Sequence, residues 1–80
     1  MTRMEYKNCE KLMYEAISLL ELSQKEYKDA NKLLEENNIE QHEIMLRKAD
    51  QHYGEAVGMN QVLATIGFFH DDMEKLADLL

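Results

Sequence analysis

Leu33-Leu34-Glu35-Glu36-Asn37-Asn38-Ile39-Glu40-Gln41 is the stretch that decides the fold of this chain. Asparagine tolerates the left-handed conformation that ends a helix, and its side chain also caps the start of the next one. Glu40 follows Asn37 by three residues and Gln41 follows Asn38 by three, and either spacing resembles a capping box. A long helix over residues 3–36 therefore ends here, and a second over residues 39–67 begins. Proline is absent, and the three glycines, Gly54, Gly58 and Gly67, all lie in the second half. No period-two alternation of apolar residues persists, so strands are not expected. The reading is an all-α single domain over residues 1–80.

Outward from that turn, the first helix carries a 3,4 repeat through Tyr6, Cys9, Met13, Ala16, Leu20, Ser23, Tyr27, Ala30 and Leu34. Large members alternate with small ones. The second helix repeats the device with Leu46, Ala49, Tyr53 and Ala56. An antiparallel hairpin closed at Asn37-Asn38 sets Ala30 against Leu46, Tyr27 against Ala49, Ser23 against Tyr53 and Leu20 against Ala56. Large then opposes small at four consecutive layers, as interdigitated packing requires. The same register continues to Ala16 with Asn60, Met13 with Leu63, Cys9 with Gly67 and Tyr6 with His70.

A second seam starts where the first weakens. Met59, Val62, Ile66, Phe69, Met73 and Leu76 also follow a 3,4 spacing, and Leu12, Ile17, Leu19 and Leu33 stand off the main stripe of the first helix. Two helices cannot cover two apolar faces. Either the chain bends near Gly67 and a short helix over residues 71–80 packs back, or copies meet along this seam as a homo-oligomer. Asp71-Asp72-Met73-Glu74 has the form of a helix start, and the two outcomes are compatible. Self-association is expected on size as well, because a chain this short buries only about 60–65% of its unfolded surface.

Nine Lys and Arg face sixteen Asp and Glu, a net charge of −7, which opposes direct binding to nucleic acid or anionic lipid. The excess is uneven: residues 1–38 hold six basic and eight acidic side chains, and residues 39–80 hold three and eight. Glu35, Glu36, Glu40 and Glu43 gather at the hairpin tip, and Asp71, Asp72, Glu74 and Asp78 near the C-terminal end. General mimicry of DNA is not supported: duplex DNA carries one charge per about 1.7 Å, whereas a hairpin of this length carries one per about 7 Å. A local acidic patch blocking a basic groove is consistent with the numbers. One cysteine excludes an internal disulfide, and no apolar run reaches the length of a membrane span. No signal peptide opens the chain, so the expected compartment is the cytoplasm.

No nucleophile elbow, P-loop or dinucleotide turn occurs, so no catalytic residue can be named and the chain is read as a non-enzyme. Cys9 sits at a small seam position and reads as packing. His52 with Glu55 and His70 with Glu74 have helical ligand spacing, but with so many acids such pairs arise by chance, and no metal site or cofactor is assigned. Gly54 and Gly58 weaken a helix locally by about 1 kcal/mol each. They read as a strip where another backbone, a second copy or a flat ligand approaches closely. Met45, Met59 and Met73 fall on one line and read as core or dimer seam. Phe68 lies off both seams, which makes it the candidate exposed anchor of a binding surface.

The helical rhythm of Ala49-Asp50-Gln51-His52-Tyr53-Gly54-Glu55-Ala56 is loosely similar to that of lactose/cellobiose-type phosphocarrier subunits. Phe69-His70-Asp71-Asp72-Met73 does not reproduce their histidine motif, and that family is rejected. In size and in Lys, Glu, Asn and Ile usage the chain is similar to small acidic proteins of low-GC bacteria and their phages, including inhibitors of host defence nucleases. The expectation is a non-enzymatic interaction protein that blocks a protein partner, with a basic nucleic-acid-binding protein as the partner class. A self-assembling structural or adaptor module and a small-ligand or metal-binding bundle are the alternatives.

Overall fold

A computed structural model describes residues 1–80 as three helices in the order α1 (Arg3–Glu35), α2 (Ile39–Thr65) and α3 (Met73–Leu79). α1 and α2 pack as an antiparallel hairpin, and α3 folds back on α1. The body measures 52 × 17 × 16 Å. At the start of α1 the Thr2 hydroxyl accepts the Glu5 backbone N–H at 3.1 Å and donates to the Glu5 carboxylate at 3.0 Å. This reciprocal lock, a variant of the capping box, uses the Thr-x-x-Glu spacing that the sequence reading passed over.

The turn sits where the two asparagines place it, and each has a separate task. Asn37 takes φ +60°, the left-handed region. Its N–H bonds to the Leu34 carbonyl at 3.0 Å, and the Asn38 N–H bonds to Leu33 at 2.9 Å. This pair of bonds closes α1 as a Schellman motif. The Asn38 side chain then accepts the Gln41 N–H at 3.4 Å and caps α2.

The same motif recurs at the far end of α2. Gly67 takes φ +69°. Its N–H bonds to Ala64 at 3.1 Å, and the Phe68 N–H bonds to Leu63 at 3.0 Å. α2 therefore ends at Thr65 rather than at residue 67, and α3 spans 73–79 rather than 71–80. The left-handed step also corrects the expected exposure of Phe68. Had the helix continued, Phe68 would have faced outward. The reversal at Gly67 instead swings it over Leu63, the apolar contact that usually accompanies this motif, and Phe68 is buried while Phe69 is 87% exposed.

The middle of the seam packs as expected: Met13, Ala16, Leu20, Ser23 and Ala30 of α1 and Ala49, Ala56 and Leu63 of α2 are buried, and Cys9, Tyr27 and Tyr53 are half-buried. Tyr6, Leu34 and Leu46, towards the two ends of the hairpin, are instead exposed where no further layer covers them. Ile17, off the main stripe, joins Leu76 and Phe68 in the same core cluster. That cluster is how α3 is held, and it removes Leu76 from any surface between copies. Only 12 of the 80 residues are buried, so most of the second apolar seam has to lie outside the core. Burying side chains such as Leu20 and Leu63 supplies about 1.5–3 kcal/mol each.

Candidate functional site

The C-terminal end is the most organised part of the surface. His70 lies on the bend between α2 and α3, and both its nitrogens are engaged. The Asp72 backbone N–H donates to Nδ1 at 3.0 Å, so the ring proton resides on Nε2, which bonds to the Glu10 carboxylate at 2.8 Å. Tyr6 and Phe68 lie roughly parallel to the ring, with centroids 6.2 and 6.0 Å away, and Tyr14 meets it edge-on at 5.8 Å. Tyr6 therefore reaches His70 as the hairpin register requires, although His70 arrives through the bend and not along a continued helix.

Beside it, Tyr14 donates its hydroxyl to the Asp72 carboxylate at 2.6 Å. That hydrogen bond, with lesser contributions from desolvation and the aspartate charge, pushes the phenol up to about 12. Asp72 occupies the N-cap position of α3, but its side chain makes no cap bond because Tyr14 holds it. Asp72 and Leu76 are thus structural members of this corner. Asp71, Glu74 and Asp78 are exposed, Asp71 on the bend after Phe69 and the other two along α3. Lys75 pairs with Glu21 of α1 at 3.5 Å, an exposed contact that orients α3 without adding much energy.

The other candidate residues are dispersed. Glu35, Glu36, Glu40 and Glu43 are exposed at the hairpin tip, at the opposite end of the long axis from Phe69. Gly54 and Gly58 face solvent on α2, and a Cβ built on either would touch nothing, so no contact within the chain uses them. The second seam divides: Leu76 is buried, Met59 and Met73 are half-buried, and Val62, Ile66 and Phe69 remain exposed.

The helical ligand pairs do not form. His52 Nδ1 bonds to Glu26 of α1 at 2.6 Å, while Glu55 accepts from Gln51 at 3.3 Å. His70 uses Glu10 rather than Glu74. His42 Nδ1 donates to the Ala30 carbonyl at 2.6 Å. No group of three His, Cys, Asp or Glu side chains gathers with metal-holding geometry. The Glu26–His52 tie escaped the sequence reading because both residues sit one position outside the seam. The register that pairs Ser23 with Tyr53 places them nearly opposite, and that was the available signal. On the other flank Tyr27 donates to Asp50 at 2.5 Å, and that hydrogen bond pushes its phenol up to about 12. No helix is long and apolar enough to cross a membrane. The chain matches no protein-family model, and neither a curated protein nor a solved structure matches it.

Proposed function

We propose that this chain is a small acidic, non-enzymatic interaction protein that acts in the cytoplasm by occupying the surface of a protein partner. The observation that carries the reading is Phe69, 87% exposed on the bend that leads into α3, with the exposed carboxylates of Asp71, Glu74 and Asp78 following it along the chain. An exposed aromatic anchor followed by a run of exposed acids suits a basic groove with an apolar floor, where the aromatic side chain supplies burial and the carboxylates supply steering and register. The bend behind Phe69 is held by Gly67, Phe68 and the His70–Glu10 and Tyr14–Asp72 bonds. The anchor is thereby presented from a fixed backbone, which lowers the entropy lost on binding. A nucleic-acid-binding protein offers such a groove, and the composition, similar to that of small phage proteins, points to an inhibitor of a host nuclease or other defence protein.

The test is retention of a partner from a low-GC bacterial lysate by the tagged chain at moderate salt, in parallel with two variants. Phe69→Ala removes the anchor; Asp71→Lys/Glu74→Lys/Asp78→Lys reverses the exposed acids and spares Asp72, whose carboxylate the fold uses. A stoichiometric nucleic-acid-binding protein retained by the parent, lost with either variant and displaced by duplex DNA is the expected result. Equal retention by parent and variants would remove this surface from the function.

A further inference from the structure

Residues 51–70 of this chain carry a single formal charge, Glu55, in a protein where 31% of residues are charged. Within that stretch, Gly54, Gly58, Val62 and Ile66 recur every four residues and so form one oblique ridge along the surface of α2. All four are exposed, Val62 at 53% and Ile66 at 49%, and a Cβ added at either glycine would meet nothing. Two bare glycines thus stand beside two half-exposed β-branched side chains at equal spacing, an arrangement no contact within the chain explains.

We infer that this ridge is the contact by which two copies of the chain associate, antiparallel, through α2. The ridge is complementary to itself. A two-fold axis at the level of residue 60 sets Val62 of one copy over Gly58 of the other, and Ile66 over Gly54, and the same two contacts repeat on the far side of the axis. Isologous contacts require such a surface, with knob and hole on one patch. The rule is the one that builds the hairpin, where large faces small along the α1–α2 seam. Glycine lets the two helix axes approach closely, and ridges at four-residue spacing pack with a crossing angle of about −50°.

The self-complementary spacing selects a second copy as the occupant, and the placement of charge permits it. Each chain carries −7, so two copies repel wherever their acidic ends face each other. The carboxylates of Asp71, Asp72, Glu74 and Asp78 lie with α3, which is tied to α1 through Tyr14 and Glu21 and to α2 through the Tyr53–Leu80 bond, and those of the tip lie at the other end of the long axis. The ridge belongs to the stretch of the chain where like charges are fewest, the depletion expected at an interface core. Its extent sets the strength. A patch about 18 Å long on a body 17 Å wide is small beside the roughly 800 Å² per partner of a stable interface. A patch of this size makes a weak, reversible dimer. It does not use Phe69 and rests on residues other than those of the partner surface proposed above.

Sedimentation equilibrium of the full chain from about 10 to 500 µM tests the inference. The expected result is a monomer–dimer equilibrium that tightens as salt screens the net charge. Gly58→Leu fills the hole on an open helical surface, so it should weaken the dimer at least tenfold while raising the melting temperature of the monomer. Val62→Glu should weaken it comparably with unchanged helical circular dichroism. In a Cys9→Ser background, Gly58→Cys copies should form disulfides with Val62→Cys copies faster than with their own kind. A monomer at all concentrations overturns the proposal and leaves the ridge to a different protein. A dimer indifferent to Gly58→Leu, or crosslinks without preference, overturns it equally.

Discussion

Tyr14 and Tyr27 each give a hydroxyl hydrogen to an aspartate, and each phenol is thereby pushed up to about 12 from an ordinary value of 10.0. A raised folded value means the native state holds protons that the unfolded chain releases. The stability these bonds contribute is complete below pH 10 and is lost as pH rises from about 10 to 12. The parent should therefore melt at progressively lower temperature across that window. Tyr14→Phe/Tyr27→Phe should show a shallower decline, with tyrosinate absorbance at 295 nm reporting the ionisation directly; matching slopes would disprove the coupling. At this scale the sequence was least informative. Nothing about Phe68 and Phe69 tells which is buried, because the answer depends on one left-handed residue, Gly67, that shifts the phase of everything after it. The Tyr14–Asp72 bond was hidden for a related reason, because the two residues meet only once that bend exists, whereas Tyr27–Asp50 spans the regular α1–α2 hairpin.

Among the elements, α3 depends most on its neighbours. Seven residues make a helix far too short to persist alone, since nucleation is costly and few bonds repay it. Leu76, fully buried with Ile17 and Phe68, supplies its main attachment, and Tyr53 adds a bond to the Leu80 carbonyl at 3.1 Å. Leu76→Ala should cost about 2–5 kcal/mol of packing. Because α1 and α2 keep their own seam, the loss should appear as local release. Amide protection should vanish over residues 73–79 while most of the helical signal remains, and loss of protection throughout α1 and α2 would show instead that the core is one cooperative unit. The hairpin was legible because side-chain size alternates along Tyr6, Met13, Leu20 and Ala16, Ser23, Ala30, and size is written in the residue itself. The second seam was legible as apolar but not in its destination. Leu76 and, in part, Met73 turn inward with α3, whereas Val62 and Ile66, on the same spacing, stay outside because α3 packs back on α1 and does not cover them.

For the molecule as a whole, charge was legible in amount but not in placement. The acids at the tip and at the C-terminal end were visible as clusters, while the quiet stretch between them gained meaning only when α2 turned it outward. The hairpin itself rests on a narrow condition. Two residues, Asn37 in the left-handed region and Asn38 with its extended ψ of 72°, separate this hairpin from a continuous rod, since the rest of the chain from Arg3 to Thr65 outside the turn is already helical. Straightened through the turn, those residues would make a helix about 95 Å long. The seam that closes one chain would then be satisfied equally well by another, each lending its α2 to its neighbour's α1. Asn37→Ala/Asn38→Ala, which removes both the stop and the cap, should therefore yield a slowly exchanging, domain-swapped dimer whose small-angle scattering shows a particle nearly twice as long as the parent. Asn37→Gly, which keeps the left-handed step at no steric cost, should retain the compact hairpin. The same two letters that let this chain fold on itself thus also keep it from lacing into its neighbours.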